Sequence, residues 1–268
     1  MPAATPMLRT VCATRYVTPL REGGSLPAIV EADDLGLYVL KFRGAGQGPL
    51  ALVAELIAGE VGRALGLPVP ELVLVAVDAA LGRNEEDPEI RDLLRASVGV
   101  NLGLDYLPGS ATFDAAADRV AADLASSIVW FDALVTNVDR TPRNPNLLWW
   151  HKALYLIDHG AALYFHHNWQ SLETMARSRF VAIRDHVLLP WASGLETADR
   201  RLRSRLDAAL FARVVGLIPA DWLAPQPGFV PPDDPDAMRA GYVAFLTQRL
   251  AAAAAFVEEA VNARAQLV

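Results

Sequence analysis

The sequence predicts an α+β protein in two unequal parts, a small β-rich portion carrying one helix and a larger α-rich portion. Three observations carry this. Short alternating apolar runs punctuated by Gly and Asp turns fill the first hundred residues. Apolar residues at helical spacing dominate after Ser110. Between them, Asp105-Tyr-Leu-Pro-Gly-Ser110 breaks both patterns. The expected division is therefore residues 1–104 and 105–268, two lobes with a cleft between them, a common place for a ligand.

Taken in order, Tyr16–Leu20 and Ala28–Glu31 read as strands flanking Arg21-Glu-Gly-Gly-Ser25, and Leu37–Phe42 as a third strand after the Asp33-Asp-Leu-Gly36 turn. Period two puts Leu37, Val39 and Lys41 on one face. Leu50–Leu65 has helical periodicity, with Gly66 as its C-cap and Pro68 beyond. Glu71–Val77 is β-rich, Gly82–Glu89 a polar loop, and Ala96–Leu104 a further strand. Phe113–Val135 reads as one long amphipathic helix. Leu147–Trp150 and Leu154–Ile157 form a hairpin joined by His151–Ala153. Leu202–Leu217 and Ala237–Ala263 are the clearest later helices, and Pro225–Pro235 is a connector.

Composition narrows the function classes. With 268 residues, 53% hydrophobic and 21% charged, the chain suits a globular protein with a sizeable core. A net charge of −7 disfavours an electrostatic nucleic-acid binder. The single Cys12 excludes an intrachain disulfide framework and points to a reducing cytoplasm. No apolar run is long enough for a membrane span or a signal peptide.

The chemistry concentrates between Thr136 and Gly160. Asp139 follows a helix and precedes a Pro loop holding Asn144 and Asn146, and Asp158 ends the second strand of the apolar hairpin. A carboxylate that orients an acceptor hydroxyl, then an amide and a carboxylate that hold Mg²⁺, in that order, is the layout of phosphoryl transfer. Asn carbonyls and carboxylates are hard oxygen donors suited to Mg²⁺. Proximity in sequence to Asp139 favours Asn144 and adjacency to the strand favours Asn146, so both stand. The competing readings are ordinary: a capping Asp139, an Asp139–Arg140 ion pair, Asn-Pro turns, a solvated strand-end Asp158. His159, His166 and His167 lack the Cys or acidic partners that a zinc site needs.

In the β-rich part, Lys41 on a sheet face calls for an anion, either a nucleotide phosphate or a carboxylate on the following helix. Glu55, among Ala51, Ala58, Gly59 and Gly62, is the candidate partner and Glu60 its rival. Gly23-Gly24-Ser25 and Gly44-Ala-Gly-Gln-Gly48 could each cradle phosphate with backbone N–H groups, although neither has the Lys-Ser/Thr ending of a P-loop.

These residues resemble the HipA-like kinases, a branch of the protein-kinase-like fold that is also similar to phosphatidylinositol kinases. The resemblance covers about residues 15–170. It rests on Tyr38-Val-Leu-Lys41, Glu55 in a helix ending in Leu-Gly-Leu-Pro-Val-Pro70, Asn137-Val-Asp-Arg140 with its following Asn, and Ile157-Asp-His-Gly160. It implies a two-lobed protein-kinase-like fold. It also implies Asp139 as catalytic residue, Asn144 or Asn146 with Asp158 as Mg²⁺ ligands, Lys41 on the ATP phosphates with Glu55 as its partner, and Asn101–Tyr106 as the hinge beside adenine. Two departures stand out: His159 where protein kinases commonly carry Phe, and no distinctive activation segment, although Ser25, Ser171, Thr174 and Ser178 are candidate phosphosites. The expectation is a cytoplasmic ATP- and Mg²⁺-dependent phosphotransferase acting on protein serine or threonine. A lipid or small-molecule kinase and a catalytically silent nucleotide-binding module are the alternatives.

Overall fold

The computed structural model describes residues 8–20, 26–46, 48–83, 85–224 and 234–267. Five strands close into a barrel: β1 (Arg9–Pro19), β2 (Ala28–Ala32), β3 (Leu37–Lys41), β4 (Leu72–Val77) and β5 (Gly99–Asp105). Their order is β1-β2-β3-β5-β4, and β4 returns to β1 in parallel while the other neighbours are antiparallel. Closure leaves the barrel strands without a free edge. Register shifts after Ala13 and Tyr16 bend β1 round the barrel. Val30, Tyr38, Leu40, Val73 and Val75 fill the interior. Gly103 belongs there, because a Cβ on it would lie 2.7 Å from Val75 Cγ2.

Helix α1 (Gly48–Ala64) is buried almost throughout, from Pro49 to Gly62, because it lies between the barrel and the later helices. A Cβ on Gly59 would meet Leu72 at 2.7 Å, so this glycine lets α1 approach β4. The expected capping glycine, Gly66, lies in the turn just past the helix end at Ala64, and its φ of +79° suits a residue without a Cβ.

Several sequence boundaries are corrected. Between the polar loop expected over Gly82–Glu89 and the strand expected over Ala96–Leu104 lies a helix, α2 (Pro88–Ala96), which takes the end of the one and the first residue of the other. Asp87 caps it by accepting from Glu89 N, and Pro88 occupies its first turn. Ile90, Leu93 and Leu94, at i, i+3 and i+4, turn one apolar stripe onto the barrel core, a helical signal only one turn long. The long helix expected over 113–135 is the shorter α3 (Ala122–Val135). Ahead of it, Asp114 accepts from Ala116 N in an Asx turn, a local bond that competes with helix.

A second, three-stranded sheet joins β6 (Ala111–Thr112), β7 (Leu147–Trp150) and β8 (Ala153–Leu156). The β7–β8 turn puts His151 and Lys152 both at positive φ, the two-residue hairpin geometry that matches strand twist. The rest is helical: α4 (Leu172–Ala176), α5 (Leu195–Arg203), α6 (Ala208–Val215), α7 (Pro235–Ala251) and α8 (Ala253–Ala265). The helix expected over 202–217 is thus two, and Asp207 starts the second by accepting from Leu210 N. The helix expected over 237–263 is bent by 59° at Ala252. Arg249 and Phe256 meet across that corner, guanidinium over ring at 4.7 Å. The alanine run through the corner favours helix equally on either side, so packing sets the break. Most of the expected 225–235 connector lies outside the described residues. Among the described residues no single helix is long and apolar enough to cross a membrane; the bent α7–α8 pair reaches that length only together.

Candidate active site

Alternation along β3 sends Tyr38 and Leu40 into the barrel and leaves Lys41 on its outer face, over α1. Lys41 Nζ lies 2.6 Å from Glu55 Oε2 and 2.5 Å from Asp158 Oδ1. Three segments far apart in sequence therefore meet at one ammonium group. Glu55 is fully buried, while Asp158 keeps about half its side chain, 49%, open to solvent. Burial alone would push the Glu55 carboxyl up, but Lys41 and then His159 outweigh it and hold it down at about 2. Burial likewise opposes the charge on Lys41, and its two carboxylates raise the group above its ordinary value. Glu60 is not the partner: it pairs with Arg63 at 3.3 Å.

Asp158 follows β8 in a left-handed conformation, φ +55°. The next residue, His159, is wholly buried and donates its backbone N–H to Glu55 Oε2 at 2.8 Å. Its ring Nδ1 lies 3.2 Å from Glu55 Oε1, and its Nε2 is buried without a partner. Gly160 is not needed for space, since a Cβ there would make ordinary 3.7 Å contacts with Ala51 and Asp158. The turn foreseen at this glycine is made by Asp158 itself.

Asp139 sits past the end of α3, where Thr136 turns left-handed and Asn137 Oδ1 accepts from Asp139 N at 3.1 Å. Asn144 Nδ2 donates to Asp139 Oδ2 at 2.8 Å and Asn146 Nδ2 reaches the same oxygen at 3.5 Å. Asn144 is exposed; Asn146 is buried and left-handed, φ +50°, and its carbonyl accepts from Ile157 N at 3.1 Å. The β7–β8 ladder thus holds Asn146 beside the residue preceding Asp158.

A wholly buried network, unforeseen from the sequence, supports this loop. Arg140 does not pair with Asp139. Its Nε donates to Asp132 Oδ2 at 2.5 Å, and its Nη1 donates to the Asn146 carbonyl at 2.5 Å. Asn137 Nδ2 donates to the other Asp132 oxygen at 3.0 Å. His186 Nδ1 accepts from Leu188 N, so its proton is on Nε2, which donates to Asp132 at 2.9 Å. Burial would raise the Asp132 carboxyl, but Arg140 and His186 hold it well below the carboxylate range. The one available signal was Asp132, an acid set within the apolar run Ile128–Val135 of α3.

Lys41, Phe42, Ala45, Gly48, Ala51, Leu52, Asp158 and Gly160 line one small cleft. Of the expected Gly44–Gly48 cradle, Ala45 and Gly48 border it, with the N-terminus of α1 beside Lys41, and Gln47 lies outside the described residues. Gly44 itself is packed against Ala96, where a Cβ would lie 2.7 Å from the backbone. The other candidate cradle, Gly23, Gly24 and Ser25, lies outside the described residues. In the expected hinge, Asn101 is buried and donates to the Ser97 and Gly99 carbonyls, and most of the segment is barrel strand β5. His166 pairs with Tyr242 at 3.1 Å, away from His159. Among the described residues no three or more His, Cys, Asp or Glu gather as a metal cluster.

Barrel strands β2 to β5, the buried helix α1 and the Asp139–Asn146 loop all fall within the residues that a kinase family model matches. The family model described as HipA-like kinase matches residues 14–240, most of the chain, and the chain belongs to that family. The fold is similar to that of a proinflammatory kinase, CtkA, from Helicobacter pylori, with a TM-score of 0.55 and 12% identity over 97% of this chain and 99% of that one. No curated protein matches the chain.

Proposed function

We propose that the chain transfers the γ-phosphoryl group of ATP, taken up with Mg²⁺, to a serine or threonine hydroxyl of a protein. In this reading residues 1–104 form the nucleotide-holding lobe and residues 105–268 the lobe that carries the catalytic loop. The observation that carries it is the meeting of Lys41, Glu55 and Asp158. An ammonium held between a buried and a half-open carboxylate is placed to take a phosphate in the cleft beside it.

The donor set fits Mg²⁺. Asp158 and the two Asn carboxamides offer hard oxygens, and both Asn turn their amide nitrogens toward Asp139, leaving the carbonyl oxygens on the other side. Asp158 with Asn146, the residue anchored across the hairpin from Ile157, would hold the metal; Asn144 is the alternative second ligand. Bound there, Mg²⁺ neutralises phosphate charge. Lys41 orients the phosphates, and Glu55 keeps Lys41 in place. Asp139 aligns the acceptor hydroxyl and accepts its proton as that oxygen bonds to the γ-phosphorus and ADP leaves. The rest is positioning in a site that the Arg140 network keeps rigid.

The test is incubation with γ-labelled ATP and Mg²⁺ against protein, lipid and small-alcohol acceptors, with hydrolysis of labelled protein to free phosphoamino acids. Labelled phosphoserine or phosphothreonine that disappears in Asp139→Ala supports the reading. Label on lipid or alcohol alone overturns the acceptor assignment. Nucleotide binding without any transfer overturns catalysis.

A further inference from the structure

We infer that His159 is a positioning residue for the phosphate clamp: its Nδ1–H locks Glu55, and through Glu55 it sets Lys41 before nucleotide arrives. The inference rests on the phosphotransfer reading of this site and deepens it. Glu55 has three bonding partners, and two come from His159: the backbone N–H on Oε2 at 2.8 Å and the ring on Oε1 at 3.2 Å. Lys41 takes the remaining position on Oε2 at 2.6 Å. A carboxylate accepts only, so the ring atom facing it carries the proton. The other ring nitrogen, Nε2, is buried without a partner. An orphaned buried nitrogen is costly, and a phenyl ring would remove it. An imidazole kept at that cost has its use on the Nδ1 side.

The surroundings make the latch stiff. His159 is fully buried with its ring edge against Phe131 of α3, centroids 5.7 Å apart. Phe131 also backs Gly62 of α1, where a Cβ would sit 3.3 Å from its ring. One aromatic ring thus packs against both the histidine and the helix that carries Glu55. The consequence is a clamp assembled by packing within the chain, with both charged ends of the Lys41 pair aligned in the nucleotide-free protein.

The test compares His159→Phe, which keeps a ring against Phe131 but has no donor, with His159→Asn, whose amide nitrogen reproduces Nδ1–H. Binding of the non-hydrolysable analogue AMP-PNP with Mg²⁺, measured by calorimetry, should weaken about tenfold in the Phe variant and return to within about twofold of wild type in the Asn variant. If the Phe variant does not fold, His159→Gln replaces it, because a Gln amide corresponds to Nε2 and misses Oε1. Wild-type affinity in the donor-less variant overturns the inference, and so does an Asn variant as weak as Phe. A second readout needs no nucleotide: ¹⁵N-histidine spectra of the apo protein should show His159 protonated on Nδ1, and an Nε2–H tautomer overturns the latch. Failure of wild-type protein to bind AMP-PNP, with the Nδ1–H tautomer present, sinks the phosphotransfer reading and leaves the latch standing as geometry only.

Discussion

Two charged clusters meet the same end of the β7–β8 hairpin, one at Asn146 and one at Asp158, and differ in openness. Asp132, Arg140 and His186 are all buried, every carboxylate oxygen is bonded, and the guanidinium also holds a backbone carbonyl. Lys41, Glu55 and Asp158 are graded from fully buried to half open, and the open carboxylate borders a cleft. A closed network rigidifies, whereas a network left open on one side can exchange a partner for a ligand. The first therefore reads as a brace for the Asp139–Asn146 loop and the second as a receptor. The proposed chemistry needs both, since Asp139 is bonded to Asn137 and Asn146, and the brace holds each of these in turn.

The comparison breaks most sharply at Arg140. Arg140→Met strands Asp132 in the core, and removing one partner of a buried pair should cost about 3–5 kcal/mol in urea unfolding. A loss below about 1 kcal/mol would mean that the brace is not closed. At Asp139 the effect should fall on chemistry alone: Asp139→Ala should lower kcat about 10²–10⁴-fold while leaving the unfolding midpoint near wild type. A kcat within about twofold of wild type would remove Asp139 from its role. Lys41→Met should abolish measurable AMP-PNP binding and leave Glu55 buried without its cation, so the Glu55 carboxyl titrates upward; nucleotide affinity equal to wild type would show that the open cluster is not the receptor.

Acid should unfold the helical region through groups remote from the cleft. Burial, and then His167, push His166 down to about 3 from an ordinary 6.5. The unfolded chain takes the proton first, so this contribution is complete above pH 6.5 and is lost progressively as pH falls toward 3. Burial lowers His186 too, against the pull of Asp132, which adds loss in the same direction. Urea midpoints should therefore decline from pH 7.5 to 4.5, and a flat profile over that interval would refute the account. The smallest effect is expected at Glu60, whose carboxyl is raised by burial and pairs only with Arg63. Glu60→Gln should change stability by no more than about 0.5 kcal/mol and nucleotide affinity not at all, which separates it from Glu55.

Much of the open cluster was legible in the sequence because its chemistry is unusual for its setting. Lys41 ends an apolar strand, Glu55 sits on a helix face of small residues, and Asp158 closes an apolar hairpin; charge among apolar neighbours is visible without coordinates. The choice of Glu55 over Glu60 was not, because both lie on a helix buried on nearly every side. The brace was scarcely readable at all. Arg140 stands next to Asp139 in sequence, yet its partner is Asp132, one helix turn and a left-handed Thr136 earlier. His159, a mere departure from the phenylalanine of protein kinases when met in the sequence, has its two bonds to Glu55 only once α1 is packed against it.

By itself, then, the sequence determined the order of the parts, the α+β class and the Asp139, Asn144, Asn146 and Asp158 constellation, because strand alternation, helix periodicity and acid–amide spacing are local properties of the chain. Tertiary structure decided what no window of residues contains: closure of five strands into a barrel, the bend at Ala252, which acid meets Lys41, and which buried cation braces the loop. Those outcomes depend on which desolvated charges come to share one interior, and burial is a property of the packed molecule as a whole.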